Sequence, residues 1–336
     1  WLAETVAEAN RLGLTGIHDQ RVEREGAESL RLFQALRRQG RLSLRVHANI
    51  AADYVAEAAR LGLQAGFGDD NLWLGHVKAF ADGAMGSRTA LMLAAYEGEP
   101  DNTGIVVTPA DRLWQTTVAA GQAGFPMSVH AIGDRAVREV LDVMSEWATT
   151  QGATASRRPP PLPMPQRIEH VQLIHPDDLA RLAPSGIVAS VQPVHLQSDW
   201  RTADRVWGGR ARLAYAFRSL LDRGTALAFG SDAPVAPLNP LLGIHAAVTR
   251  QDETGQPAGG WYPAERLTVA EAIAGYTLGP ARLSGKADRF GSITPGKYAD
   301  LVVLSDNLFA IEPAAIAEVG VWLTVFDGRV VYEAEE

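Results

Sequence analysis

Hydrophobic positions switch period repeatedly along this chain. Leu2, Val6, Ala9 and Leu12 recur at helical spacing, and the run LGLTGIHD after them reads as a short strand ending in His18 and Asp19. ESLRLFQALRRQG predicts an amphipathic helix closed by Gly40, and RLSLRVHANI alternates as a strand. AADYVAEAARLG is the next helix and WLGHVKAF the next strand. A helix over DRLWQTTVAAGQAG, a strand reaching His130 and a helix from Arg135 to about Ala148 keep the alternation. Strand-like runs follow in QRIEHVQLI, in SGIVASVQPVHL at 185–196 and in TALAFGSDAPV. Such regular β-α alternation implies a parallel sheet. Helices at NPLLGIHAAVTR and TVAEAIAGYTL lead into short strands over 291–333, where ADLVVLS and VWLTVFDGRVVYE form a β appendage with DGR as the hairpin turn.

Four polar residues close the apolar runs in order: Lys78, His130, His170 and Asp232. A (β/α)8 barrel gathers the C-terminal ends of its strands on one face, and its units advance by roughly 30 residues. His170 follows His130 by 40 residues, one unit plus the insertion RRPPPLPMPQ, whose Pro run covers 159–165. Asp232 follows His170 by 62 residues, about two units, with the 185–196 strand between them. Lys78 precedes His130 by 52 residues, leaving DGAMGSRTA through GEPDNTG as a long loop over the face. The spacing fits a TIM-like barrel.

With 336 residues, 46% of them apolar, the chain can bury one large core and a small appendage. Its net charge of -8, without a basic run, argues against a nucleic-acid partner. No apolar stretch is long enough for a membrane span and no signal pattern opens the chain. A cytoplasmic location is the expectation, with a signal on an upstream segment left open. Cys is absent, so any metal must be held by nitrogen and oxygen. His130 and His170 with Asp232 supply that mixture, which suits zinc or a neighbouring divalent ion. A lone His at a strand end is more often structural; two in step with Lys78 and Asp232 favour ligation.

The stretches VKAFADGAMGSRTA, SVHAIGDRAV, RIEHVQLI, SVQPVHLQSD, GSDAPVAPLNPLLGIHAAVTR, LTVAEAIAGYTLGPARLSG and GSITPGKYADLVVLSDN run in one order from about residue 73 to the C-terminus. In them the chain resembles the amidohydrolase superfamily, and within it the amidohydrolase 3 or YtcJ-like branch. Members open the barrel with an HxH pair on the first strand, and no HxH occurs here. The resemblance therefore implies a metallo-dependent hydrolase barrel over 1–285 lacking its first strand, strands two to eight, followed by part of a small composite β domain, a partial β-sandwich, over 286–336.

The resemblance also implies roles. Lys78, His130, His170 and Asp232 would bind one or two divalent ions, with Lys78 carboxylated by CO2, and Asp232 would act as the catalytic general base. A salt-bridged Lys78 and an Asp232 that caps a turn are the plainer alternatives. Arg88 on the long loop, and Gln192 and His195 at the end of the 185–196 strand, are candidates for holding a substrate carboxylate or oxyanion, with loop structure or solvation equally open for each. Asp134 and Glu169 are candidate partners of the imidazoles. His76 reads as core, and His18, His47, His175 and His245 as structural. The expected activity is hydrolysis of a C–N bond in an amide-type small molecule. Deaminase, esterase and lactonase chemistry share the ligand set, and an inactive barrel serving as a binding module is the reading outside enzymology. Homodimerisation is implied by the resemblance alone.

Overall fold

A computed structural model describes residues 1–20, 27–153 and 161–335. Helix α1 (Leu2–Arg11) leads into strand β1 (Gly16–Asp19), and α2 (Glu28–Arg38) into β2 (Arg45–Ala51). Next come α3 (Val55–Arg60), β3 (Leu72–Phe80), α4 (Ala110–Gln122), β4 (Met127–Ala131), α5 (Asp134–Ala153) and β5 (Arg167–His170). A one-turn α6 (Leu182–Ser185), β6 (Val188–Val191), α7 (His195–Trp207), α8 (Phe217–Leu221) and β7 (Leu227–Phe229) complete the alternation. Helices α9 (Pro240–Thr249), α10 (Val269–Tyr276) and α11 (Leu278–Leu283) follow, then β8 (Leu301–Leu304), β9 (Val321–Phe326) and β10 (Arg329–Glu333). Two expectations change. The strand read over 185–196 is only Val188–Val191, because Pro193 offers no N–H to a ladder and α7 begins at His195. Of the Pro run, Pro159 and Pro160 lie outside the described residues.

Strands β1 to β7 form one sheet in sequence order, each parallel to the next. Parallel neighbours need long crossovers, which the helices supply. The sheet curls. In a flat sheet β1 and β5 would stand about 19 Å apart, yet Arg167 Nη1 lies 2.9 Å from His18 Nδ1. Gln20, just past β1, likewise accepts from Ser128 Oγ on β4 at 3.0 Å. Residues facing outward from the strands, such as Val77, Val129, Ile168 and Ala189, are buried in the same apolar core as Leu113, Val137 and Leu141 of the helices.

The inside of the curl is polar and is lined by a chain of hydrogen-bonded imidazoles. His18, His47 and His76 stack in a row, with ring centroids 4.3 and 5.0 Å apart. Arg167 donates to His18 Nδ1, so His18 Nε2 carries the proton and faces Ser284 Oγ at 3.0 Å. Trp73 Nε1 donates to His47 Nδ1, so His47 Nε2 donates to His76 Nδ1 at 2.9 Å, and His76 Nε2 donates to the Pro165 carbonyl at 2.9 Å. One tautomer of each ring satisfies every contact. Gly75 makes room for the row: a Cβ there would stand 1.8 Å from His47 Nε2.

The second sheet is antiparallel, in the order β10-β9-β8. Asp327 and Gly328 join β9 to β10 with φ of 52° and 76°, the two left-handed residues that a two-residue hairpin turn requires. This sheet sits against the start of the chain. Thr324 Oγ1 donates to the Asn10 carbonyl of α1 at 2.7 Å. Arg45 at the start of β2 is buried and bidentate to Asp300, with Nη2–Oδ1 at 3.0 Å, and its guanidinium lies 3.9 Å from the Tyr298 ring centroid. Removing one partner of a buried pair strands the other charge. Asp300→Ala is therefore expected to destabilise the fold by about 3–5 kcal/mol in denaturant unfolding; a loss below about 1 kcal/mol, typical of an exposed pair, would mean that this contact does not hold the two sheets together.

Candidate metal centre

Parallel strands deliver their C-terminal ends to one rim, where Lys78, His130, His170 and Asp232 stand. Lys78 is on β3, two residues from its end, and alternation turns it to the same side as His76 and Phe80. Its Nζ lies 4.7 Å from the Phe80 ring centroid. His130 is on β4, and its ring is 5.4 Å from Phe80 and 4.6 Å from His170. His170 ends β5. Strict alternation would turn it outward with Ile168, but His170 and Val171 have φ of 74° and 41°, and this break re-aims the ring. Asp232, past β7, has φ of 60°. Such left-handed conformations in residues other than glycine cost of order 1 kcal/mol or more each and cluster at functional sites.

The donor atoms that come within 4.8 Å of one another belong to His170, His195 and Asp232. His195, the first residue of α7 rather than a strand end, thus stands among the candidate ligands. Its Nε2 is 4.0 Å from Asp232 Oδ2 and is buried with no hydrogen-bond partner among the described residues. A buried orphan nitrogen needs a reason, and a missing cation is one. His170 Nδ1 is 2.8 Å from Gln192 Oε1. A carboxamide oxygen only accepts, so Nδ1 holds the proton and Nε2 keeps its lone pair for a metal.

His130 stands differently: its Nε2 meets the Gly83 carbonyl at 2.9 Å and Asp82 Oδ1 at 3.4 Å. Asp82 is the residue that sequence reasoning missed. Its buried carboxylate accepts from the backbone N–H groups of Leu91 (2.9 Å), Ile132 (3.1 Å) and Gly133 (2.9 Å), tying the long loop after β3 to the turn after β4. An acidic residue two positions past a strand, opening a Gly-rich loop, was the available signal. The residues expected to orient the imidazoles are engaged elsewhere. Asp134 accepts from Leu93 N at 2.9 Å, and Glu169 accepts from Ser128 Oγ at 2.8 Å and pairs with Arg167. Arg88 on the long loop is ion-paired with Glu99.

Burial dominates the electrostatics. It lowers Lys78 from the usual lysine range to about 8, with Arg167 adding to the effect and Glu169 and Asp232 opposing it. It also holds His170 well below the ordinary imidazole value, assisted by His130, Lys78 and His195. Asp232 moves the other way, raised by burial against the pull of His195 and Lys78. A deprotonated imidazole and a carboxylate facing an orphan nitrogen form a donor set that a divalent cation fits. Among the described residues no helix is long and apolar enough to cross a membrane.

Comparison with known proteins identifies the family. The amidohydrolase family model matches residues 1–332. YtcJ of Bacillus subtilis (strain 168), which carries an amidohydrolase name, is 33% identical over 324 residues, covering 96% of this chain and 59% of that protein. The N-substituted formamide deformylase of Arthrobacter pascens is 26% identical over 328 residues, covering 96% of this chain and 58% of that protein. An uncharacterized metal-dependent hydrolase from Pyrococcus horikoshii OT3 superposes with a TM-score of 0.78 at 29% identity, over 93% of this chain and 60% of that one. The chain thus spans about three fifths of the length of these relatives. A match along nearly its whole length, together with a third of positions identical to YtcJ, means that the chain belongs to the amidohydrolase family.

Proposed function

We propose that this chain carries the metal-binding face of a hydrolase that cleaves the C–N bond of a small amide. The observation that supports it most is the meeting of His170, His195 and Asp232 donors within 4.8 Å at the rim of the sheet. The relative named N-substituted formamide deformylase supports an amide substrate. The seven parallel strands are read as strands two to eight of a (β/α)8 barrel. When bound, a divalent cation, zinc in our reading, supplies Lewis acidity and makes a water easier to deprotonate near neutral pH.

The residues divide the remaining work. Asp232 accepts a proton from the attacking water, whose oxygen bonds to the carbonyl carbon; the C–N bond breaks and Asp232 returns the proton to the leaving nitrogen. Burial makes Asp232 a stronger base than a surface carboxylate. Gln192 holds His170 in the tautomer that ligates. Lys78 contributes once carboxylated, which converts an amine into an anionic oxygen donor. With its pKa lowered to about 8, Lys78 offers far more of the neutral amine near neutral pH than an ordinary lysine does.

Two measurements test this reading. In the full protein, His170→Ala and Asp232→Asn are each expected to lower kcat/KM on a panel of formamides and other small amides by about 100-fold or more with the circular dichroism spectrum unchanged; turnover near the wild-type level in either variant would sink the assignment. Separately, incubation with isotope-labelled bicarbonate should produce a carbamate signal that grows as pH rises through about 8, where the Lys78 amine loses its proton, and that disappears in Lys78→Ala. A signal that persists in that variant would place the carbamate on another amine.

A further inference from the structure

Two of the candidate ligands are held by irregular backbone. His170 and Val171 leave the β5 ladder in left-handed conformations. His195 opens a helix whose N-cap, Val194, makes no side-chain cap bond. Something else must fix where the two rings stand. Resting on the metal reading above, we infer that Gln172, Asp199 and Tyr215 form a clasp that positions His170 and His195 relative to each other.

The clasp joins three segments. Gln172 lies two residues past His170, and its Nε2 donates to Asp199 Oδ2 at 2.6 Å. Asp199 lies four residues past His195 on α7, hence on the same helix face. Tyr215 meets both: its hydroxyl contacts Gln172 Nε2 and donates to Asp199 Oδ2. All three side chains therefore converge on one carboxylate oxygen. Tyr215 is itself fixed on every side. Its φ is 52°, its N–H donates to the Gln172 carbonyl at 2.9 Å, and its carbonyl accepts from Arg250 Nη1 at 2.7 Å. Arg250 is buried and donates also to the Trp261 carbonyl at 2.9 Å. A bridge between Leu173 and Ala214 continues the seam beside Gln172.

The arrangement is directional. A change at Tyr215 or Asp199 reaches the His170 segment through Gln172 and reaches His195 through the first turn of α7. Neither Asp199 nor Tyr215 is in the cluster of donor atoms, so each acts as a positioning residue. The two imidazoles, stacked with centroids 6.2 Å apart and planes at 18°, are the pair whose spacing the clasp sets. Removing a group that orients ligands weakens metal affinity by about 10–100-fold.

The test is zinc affinity of the full protein, read by competition with a chromogenic chelator, alongside the melting temperature of the metal-free protein. Tyr215→Phe, which removes one hydroxyl, is expected to weaken zinc binding by about 10–100-fold while the metal-free melting temperature moves by less than about 4 °C. Asp199→Asn, which keeps an acceptor for both neighbours, should fall between that variant and wild type; it carries the comparison alone if Tyr215→Phe does not fold. Wild-type zinc affinity in the folded variants would overturn the clasp. A wild-type protein that takes up no zinc would instead overturn the metal reading on which the clasp rests, so the two failures are distinguishable.

Discussion

A guanidinium keeps its charge at physiological pH even where burial lowers its pKa, and Arg167 is buried inside the curl of the sheet. Much of the interior is arranged around that fact. Glu169, two residues on and facing the same side, pairs with it at 2.7 Å, and His18 accepts from it across the curl. Burial, with Arg167 adding, keeps His18, His47 and His76 well below the ordinary imidazole pKa. A protonated ring beside this guanidinium would be repelled and would lose its acceptor. The histidine row therefore stays uncharged, and each ring can pass a hydrogen bond in one direction. The same charge helps to lower Lys78 at the rim, so the interior and the candidate centre share one electrostatic source.

The centre itself is built by loops that the sheet brings together. Asp82 anchors the loop after β3 to the β4–α5 turn, and Gln192 links the ends of β5 and β6. Each link joins neighbouring strand ends, which a parallel sheet presents side by side. The apolar core between the sheet and its helices supplies the rigidity, while the polar interior fixes proton positions.

The alternation of strands and helices was legible in the sequence because it rests on hydrophobic period, and the order of Lys78, His130, His170 and Asp232 because strand ends carry function in such folds. The β appendage was readable down to its turn, since Asp327-Gly328 suits one hairpin geometry. What was not legible depended on contacts between distant residues. Asp82 binds backbone N–H groups about fifty positions away. Glu169 beside His170 suggested a partner for an imidazole, yet Arg167, two residues back on the same face of β5, holds its carboxylate instead. His195 looked like the end of a strand because VASVQPVHL is mostly apolar, but Pro193 ended the ladder and α7 carried the ring back over the rim. Left-handed φ at His170 and Asp232 leaves no mark in a sequence that has no glycine there.

That last feature bears on how this chain can be altered. Glycine accepts positive φ most readily, and among residues with side chains asparagine, aspartate and histidine tolerate it best. His170 and Asp232 are therefore positions where the backbone favours one residue and the chemistry another. Selection for stability alone would drift toward glycine at both, trading the candidate ligands for a relaxed turn. Library screens that read stability alone will therefore relax the candidate centre unless those two positions are held fixed.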